Sequence, residues 1–279
     1  MQKIKYFLLT KTVGLYLNLL SYIRPKQAVK LAYRLFSEPR IGRLSPEQLP
    51  EVLQNAQRET LTFQNHSFET YHWKGNKNVI LLLHGWESNA SRWEKILPFL
   101  QQTGSTIIAI DAPAHGLSSG KEFNVPLYAE FIEVMVQKFQ PNALIGHSIG
   151  GIASTYYQHH FPNTLKKMVL LGSPSDFIIL LSNYVKLLSL NQKIHQALID
   201  YTKERFNIVI EDFSGSKFLQ HSELEGLIAH DVEDSVVLFS EAKKLAATWK
   251  KSTFIETKGF GHSLHDDELY QKIAVFLGA

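Results

Sequence analysis

The sequence predicts an α/β fold in which a mostly parallel sheet carries helices on both faces. From about Glu59 onward, short apolar runs alternate with segments of helical periodicity, as successive strand–helix units do. The run at 79–83 is apolar throughout, which is typical of a strand buried on both faces. With 44% hydrophobic and 20% charged residues, a chain of 279 residues can bury one sizeable core.

The elements follow from periodicity and turn residues. A hairpin is predicted from strands at 60–64 and 68–73 that turn at Asn65 and His66. The other predicted strands are 79–83, 106–110, 142–145, 168–171, 224–229 and 253–256. The predicted helices of this region are 90–101, 127–139, 152–160, 236–249 and 267–277. Residues 173–221 break the alternation with helical patterns at 177–190 and 194–201, so we interpret them as a helical insertion.

Residues 6–23 form a predicted helix that is apolar apart from one narrow stripe. The stripe consists of Thr10, Lys11, Gly14, Asn18 and Ser21. Pro25 ends this helix, and a second is predicted at about 26–36 before a linker at 39–50. Three interpretations stay open: a helix packed on the body of the protein, an amphipathic helix on a membrane, or a targeting segment. A membrane span is disfavoured because Lys11 and Asn18 would lie in hydrocarbon.

We therefore divide the chain into an N-terminal helical extension with linker (1–50), an α/β core (51–173 and 222–279) and a helical insertion (174–221). Residues 1–43 carry nine Lys or Arg and one acid, a net charge of +8, whereas the whole chain carries +3, so the remainder carries −5. This distribution argues against a nucleic-acid partner and allows a peripheral membrane contact through the basic N-terminal helix. With no cysteine, the chain has no disulfide, thiolate metal site or cysteine nucleophile.

The segment Gly146-His147-Ser148-Ile149-Gly150 stands between a predicted strand and a predicted helix. A strand that turns sharply into a helix presents the central residue of this pattern at the positive end of the helix. Glycine is needed at positions 146 and 150 because side chains there would collide with the neighbouring strand and helix. Ser148 is therefore the candidate nucleophile, and an ordinary glycine-rich turn is the alternative.

A serine hydroxyl needs a general base, and the base needs an orienting acid. In an open parallel sheet, ligands bind at the carboxyl ends of the strands, so both partners should follow strand ends. The loop from His230 to Asp234 follows one predicted strand, and the segment from Gly259 to His262 follows another. His262 is the candidate base and Asp234 the candidate acid, which gives the chain order Ser, Asp, His.

Together these motifs resemble the α/β-hydrolase superfamily, specifically serine esterases and lipase-like hydrolases with a helical cap. The resemblance covers residues from about 59 to the C-terminus apart from the insertion. Its motifs are His84-Gly85-Trp86, Asp111-Ala112-Pro113-Ala114-His115-Gly116-Leu117-Ser118, the segment around Ser148, the acid loop and Gly261-His262. The resemblance implies the α/β-hydrolase fold, with Ser148 as nucleophile, His262 as base and Asp234 as acid. It also implies an oxyanion hole made by the backbone N–H groups of Trp86 and Ile149.

The sequence departs from the family pattern at two positions. Asp231 stands where family members often carry glycine, so the acid loop offers a second carboxylate, for which we expect a turn or helix-capping bond. Ala114 replaces a glycine common in the family's Asp-x-Pro-Gly-His-Gly loop, which we expect only to reshape that loop. His265 is the rival base, but it lacks the preceding Gly-x-Gly.

Other side chains near these motifs have predicted supporting roles. We expect His84 and His115 to hold loops through hydrogen bonds and His147 to pack beside the nucleophile. Trp86, His84 and His147 are also the predicted substrate-binding side chains. The insertion is predicted to form a cap over the site. Neither a metal-ligand spacing nor a phosphate-binding glycine loop is present in the sequence, so we expect no metal and no cofactor.

The predicted function is hydrolysis of carboxylic esters of hydrophobic, small to medium substrates through an acyl-enzyme on Ser148. One alternative is the same triad acting on another acyl bond, namely a C–C bond of a diketone, a thioester, a lactone or a lipid ester. The other is a catalytically idle ligand-binding protein. Serine at 148 argues against the dehalogenase and epoxide-hydrolase branches, which use Asp there. We expect a cytoplasmic location, with membrane association as the alternative, and the oligomeric state stays open.

Overall fold

The computed structural model describes residues 2–278, with the backbone alone for Gln2, Lys3 and Ile4. The described part excludes Met1 and Ala279, which are the outer ends of the predicted domains. It also excludes the side chain of Lys3, one of the basic residues counted in the N-terminal segment. The strands are β1 (Gln57–Phe63), β2 (His66–Trp73), β3 (Asn76–Leu83), β4 (Ser105–Ile110), β5 (Ala143–His147), β6 (Lys167–Leu171), β7 (Glu225–Asp231) and β8 (Ser252–Thr257). The α-helices are α1 (Gln2–Ile23), α2 (Pro25–Ser37), α3 (Glu51–Gln54), α4 (Leu97–Gln101), α5 (Val125–Phe139), α6 (Ile149–His160), α7 (Phe177–Leu188), α8 (Gln192–Phe206), α9 (Gly215–Leu219), α10 (Phe239–Thr248) and α11 (Asp267–Gly278).

The strands form one sheet in the order β1-β2-β4-β3-β5-β6-β7-β8. Strand β2 runs antiparallel to β1 and β4, and the pairs from β4 to β8 are parallel. The predicted α/β fold with a mostly parallel sheet is thus confirmed. Since β5 is central and β7 and β8 run parallel to it, the residues that follow these strands reach the same edge of the sheet.

The core explains why the central strands are apolar along their length. Every residue of β5 is buried, and so are the last four residues of β3, because helices cover both faces of the sheet. The core on one face contains Trp93, which is among the largest fully buried side chains. It packs with residues of β3, β4 and α11. Burial of this kind stabilises a fold by about 25 cal/mol per Å² of apolar surface.

Two predicted helices are shorter in the structure than the sequence indicated. The predicted helix 90–101 is a 3₁₀ turn at Ala90–Glu94 followed by α4, because Pro98 has no N–H to continue a helix and is accommodated in the first turn of α4. The predicted helix 236–249 begins only at Phe239. The N–H groups of Val236 and Val237 donate to the Asp234 carboxylate instead, which keeps both residues in the acid loop.

The chain divides into two compact units. One consists of the segment up to Glu38 together with Asp176–Ser214, and the other consists of Pro39–Ser175 together with the described residues from Gly215 onward. In the first unit, α1 and α2 pack with α7 and α8. Their shared core consists of Leu17, Ala32, Tyr33, Leu181, Leu188, Leu190, Ile194, Leu198 and Ile210. The N-terminal extension therefore folds with the insertion, although more than 130 residues separate them. That this unit caps the active site stays a prediction.

Within the described residues, no helix combines the length and the apolar composition needed to cross a bilayer.

Candidate active site

Ser148 lies between the end of β5 and the start of α6, with φ 54° and ψ −122°. A positive φ strains a residue with a side chain and persists only where the surroundings enforce it. Here they do, because the turn is packed backbone to backbone. A Cβ at position 146 would lie 2.6 Å from the carbonyl oxygen of Gly150, and one at position 150 would lie 2.2 Å from that of Leu83. The structure thus shows the collisions that the sequence pattern predicted.

The three candidate catalytic side chains meet in one hydrogen-bonded row. His262 Nε2 lies 3.0 Å from Ser148 Oγ, and His262 Nδ1 lies 2.7 Å from Asp234 Oδ2. The backbone reaches this geometry because Gly261, just before the histidine, has φ 56°. A carboxylate on Nδ1 fixes the imidazole tautomer whose Nε2 can accept the serine proton. The row has the arrangement that nucleophilic catalysis by serine requires.

The acid loop holds Asp234 in its ionised form. Burial of this carboxylate would raise its pKa, but hydrogen bonds from His230, His262 and the Val237 N–H outweigh burial and hold the pKa well below its usual range. His230 Nε2 donates to the carbonyl oxygen of Val237 at 2.8 Å and lies 3.4 Å from Asp234 Oδ2. Sequence reasoning missed His230, because its position four residues before Asp234 does not distinguish it from any other buried histidine.

Asp231, the second carboxylate of the loop, has partners other than the His262 ring, whose Nδ1 bonds to Asp234. It accepts hydrogen bonds from the Thr257 hydroxyl at 2.9 Å, from the Phe260 N–H at 3.0 Å and from the Glu233 N–H at 3.0 Å. These bonds fasten the acid loop to the loop that carries His262. Burial opposes ionisation of Asp231, but the hydrogen bonds prevail and lower its pKa.

We expect Asp231→Asn to lower the free energy of unfolding by about 2 kcal/mol at pH 7, because an amide cannot replace the acceptors of a buried carboxylate. A carboxyl whose folded pKa is depressed contributes stability above its unfolded pKa of about 3.9, and this contribution is lost as pH falls through the folded pKa. The difference between wild type and variant should therefore shrink as pH falls below about 5 toward the depressed folded pKa. Urea unfolding at several pH values measures it, and a difference independent of pH would contradict this account.

The predicted oxyanion hole lies in the loop after β3 and at the first residue of α6. The Gly85 backbone approaches the nucleophile so closely that a Cβ there would lie 2.9 Å from Ser148 Cβ. This places the next residue, Trp86, beside the serine. No acceptor among the described residues takes a hydrogen bond from the backbone N–H of Trp86 or Ile149. The oxyanion hole formed by these two N–H groups stays a prediction.

His84 and His115 organise the loops around Trp86. His84 Nε2 accepts from the Ala112 N–H at 2.9 Å and Nδ1 donates to the Gly85 carbonyl at 2.7 Å. His115 Nε2 accepts from the Glu87 N–H at 2.9 Å. Burial lowers the pKa of His84 well below its usual range and that of His115 to about 4, so both rings are neutral at pH 7. His84 is fully buried with both nitrogens bonded, and its predicted contact with substrate stays a prediction.

Asp111 fixes the base of the neighbouring loop. This fully buried carboxylate accepts from the Tyr71 hydroxyl, the Ala90 N–H and the Leu117 N–H, each at 2.9 Å. Ala114 adopts φ 64° there without a glycine, which is how the loop accommodates the departure from the family pattern.

His147 is hydrogen-bonded to His262, the candidate base. Its Nε2–H donates to the carbonyl oxygen of His262 at 2.8 Å, and the two ring centroids are 4.8 Å apart. Burial, with the nearby Arg92 charge, lowers the pKa of His147 well below its usual range. His147 has 6% of its surface exposed and contacts His262 through this bond, while its predicted contact with substrate stays a prediction. Arg92, which sequence reasoning also missed, donates to the carbonyl oxygen of Ser263 at 3.1 Å.

His265 does not compete for the serine in this structure. Its Nδ1 lies 2.5 Å from the Tyr270 hydroxyl.

Trp86 is half-buried, and its ring packs against His115 and Phe123 at centroid distances of 5.4 and 5.8 Å. In the part of the chain that the structure describes, no three His, Asp or Glu side chains are grouped to hold a metal ion.

The family model for the α/β hydrolase fold matches residues 78–225, just over half of the chain. The chain belongs to the α/β-hydrolase fold family. The match begins in β3 and ends where β7 begins, so it includes the turn that carries Ser148.

Individual relatives agree with this assignment. The human "Serine hydrolase-like protein" is 35% identical over 101 residues, which are 34% of this chain and 49% of the relative. A Dictyostelium discoideum serine hydrolase-like protein is 29% identical over 179 residues, 56% of this chain and 48% of the relative. The chain thus spans less than half the length of these curated relatives. Mouse alpha/beta hydrolase domain-containing protein 10 superposes with a TM-score of 0.62 over 80% of this chain and 97% of its own, at 16% identity.

Proposed function

We propose that this protein is a serine hydrolase that cleaves carboxylic esters of hydrophobic, small to medium substrates through an acyl-enzyme on Ser148. The observation that carries the proposal is the continuous row from Ser148 Oγ through the His262 ring to Asp234 Oδ2, with distances of 3.0 and 2.7 Å. Hydrogen bonds of this length pass a proton between neighbouring groups. A serine in such a row becomes a nucleophile at neutral pH.

In the first half of the reaction, Ser148 Oγ attacks the ester carbonyl carbon while His262 Nε2 takes the hydroxyl proton. The carbonyl oxygen becomes an oxyanion, which the backbone N–H groups of Trp86 and Ile149 stabilise by about 3–4 kcal/mol each. The tetrahedral species collapses, His262 returns the proton to the departing alkoxide oxygen, and the alcohol leaves. The acyl group stays on Ser148.

In the second half, His262 takes a proton from water, and the hydroxide oxygen attacks the acyl carbon. Collapse breaks the bond to Ser148 Oγ, which recovers its proton from His262, and the carboxylic acid leaves. Asp234 stays ionised throughout, because its hydrogen bonds hold its pKa well below neutral. It stabilises the imidazolium in both halves.

The preference for a hydrophobic substrate rests on the aromatic surroundings of the proposed oxyanion donor. The half-buried Trp86 ring packs against the rings of Phe123 and His115. An apolar acyl or alcohol group bound near Ser148 would therefore contact an aromatic surface. Apolar groups bind such surfaces because binding removes apolar surface from water, which is favourable. The identity of the scissile bond is a separate question, because the same row could attack a thioester, a lactone, a lipid ester or a diketone.

A panel of p-nitrophenyl esters from acetate to palmitate, with thioesters, lactones and a diketone alongside, tests the proposal. We expect the highest kcat/KM among esters of short to medium acyl chains, and loss of turnover in Ser148→Ala. Higher kcat/KM for a thioester, lactone or diketone would reassign the bond while keeping the triad. Turnover of none of these substrates by folded protein would contradict the proposal and favour a ligand-binding protein.

A further inference from the structure

Helix α1 turns its polar side chains toward the protein. Lys11 Nζ donates to the carbonyl oxygen of Leu187 at 2.9 Å and to Ser189 Oγ at 2.8 Å. Asn18 donates to the carbonyl oxygen of Ser189 at 2.9 Å and accepts from the Asn191 N–H at 2.8 Å. The polar stripe of the sequence therefore forms hydrogen bonds with the turn between α7 and α8. A lysine at the carboxyl end of α7 also complements the helix dipole.

The packing leaves α1 no freedom to rotate about its axis. A Cβ at position 14 would lie 1.7 Å from the carbonyl oxygen of Leu188, so only glycine allows the two backbones to approach this closely. Leu17 is fully buried three residues further on, and Ser21 bonds to the Asn191 side chain at 3.1 Å. Gly14, Leu17 and Ser21 share one face of a helix with a period of 3.6 residues. The opposite face is consequently fixed outward.

That outward face is mostly apolar. Thr12 and Lys5 are exposed on it, and the large apolar side chains of α1 that are exposed, each 55–76% accessible to solvent, are Tyr6, Phe7, Leu8, Leu9, Leu15, Tyr16, Leu19, Tyr22 and Ile23. Leu8, Leu15, Leu19 and Ile23 run along the side opposite Gly14 and Ser21. A helix of a water-soluble protein normally shows the reverse pattern, with its apolar stripe on the core. A contiguous exposed apolar surface of this length marks a place where the protein meets another apolar phase.

Charge decides between a lipid surface and a second copy of the chain. Exposed basic residues stand at both ends of the outward face, Lys5 at one end and Arg24 and Lys26 at the other. Lys193 of α8 adds its ammonium 5.0 Å from the Tyr22 ring centroid. A symmetric dimer would bring these cations against the cations of the second copy, whereas anionic headgroups would neutralise them. Tyrosine rings, of which the face has two, Tyr16 and Tyr22, prefer the membrane–water interface.

We propose that the outward face of α1, defined as Leu8, Leu15, Tyr16, Leu19 and Ile23 with the flanking Leu9 and Tyr22, docks on an anionic lipid surface. The helix lies in the plane of the interface, because its inward face keeps Lys11 and Asn18 bonded to the turn after α7. The apolar side chains enter the acyl boundary and the basic residues contact lipid phosphate. The proposal is independent of the hydrolytic chemistry.

Co-sedimentation of the full chain with phosphatidylcholine vesicles, with and without phosphatidylglycerol, tests the docking surface. We expect the wild-type protein to bind the anionic vesicles, and binding to weaken at high ionic strength. The double variant Leu15→Glu/Leu19→Glu should lower the partition coefficient about tenfold or more, because it places two charges in the apolar boundary. Both side chains point outward, so its thermal unfolding should match that of the wild type.

The matched control is Gln101→Glu/Gln102→Glu, which adds the same two negative charges at exposed positions outside α1 and should bind like the wild type. Equal binding of the Leu15→Glu/Leu19→Glu variant and the wild type would overturn the proposal. So would an absence of wild-type binding to anionic vesicles. A dimer in light scattering that only the α1 variant loses, without vesicle binding, would assign the face to a second copy. Equal wild-type binding to neutral vesicles would overturn the anionic assignment.

Discussion

Replacing Ser148 or His262 with alanine lowers ester turnover by about 10⁴-fold or more, because either change removes the nucleophile or its base from a row that works as a unit. The loss should appear in kcat at saturating substrate, since the side chains act on the reacting atoms rather than on distant parts of the substrate. Steady-state hydrolysis of the best ester in the panel measures it.

Two controls match these variants in chemistry. Ser240→Ala removes an exposed hydroxyl at the start of α10, and His265→Ala removes an imidazole that faces Tyr270 rather than Ser148. Both should keep turnover close to that of the wild type. If folded Ser148→Ala lost less than about tenfold in ester turnover, Ser148 would not be the nucleophile, because a lost nucleophile costs far more. A collapse of activity in His265→Ala with activity retained in His262→Ala would make His265 the base.

Asp234→Asn lowers kcat by about 10³- to 10⁴-fold while the fold is kept. The asparagine amide would donate to His262 Nδ1, which would place the imidazole proton on Nε2, facing Ser148. An imidazole in that tautomer cannot accept the serine proton. The kcat of the variant with an activated p-nitrophenyl ester, together with its thermal unfolding, measures the effect.

Asp231→Asn is the matched variant on the other carboxylate of the loop. Its bonds go to Thr257, Phe260 and Glu233, so its replacement should reduce stability and leave kcat at least about tenfold above that of Asp234→Asn. If Asp231→Asn lost more activity than Asp234→Asn at equal folding, Asp231 would be the functional acid.

The sheet and the turn at Ser148 could be predicted because local physics dictates both. Apolar runs such as 79–83 have no stable position except between two helical layers, and Gly146 and Gly150 are required by backbone contacts that any such turn makes. The break in the predicted helix 90–101 was also encoded, in Pro98. The start of α10 could not be found this way, because Val236 and Val237 bond to a side chain rather than continuing the helix.

The sequence left the packing of α1 open among three interpretations, for a different reason. A polar stripe on an apolar helix is ordinarily assigned to water, whereas here Lys11 and Asn18 bond to the turn after α7, about 170 residues away in sequence. The role of His230 was hidden similarly, because its contact with Asp234 is tertiary and histidine at that position carries no periodic or spacing signal. For His147 the sequence predicted packing beside Ser148, but not the hydrogen bond to the His262 carbonyl oxygen.

Covalent labelling with a fluorophosphonate, followed by mass spectrometry of the digested protein, tests the central claim most directly. If His262 activates Ser148, the serine oxygen displaces fluoride from phosphorus, and the phosphonyl group appears on the peptide containing Ser148 at one group per chain. Prior replacement of His262 with alanine should abolish this labelling. Folded wild-type protein that stays unlabelled, or that carries the label on another residue, would contradict the account.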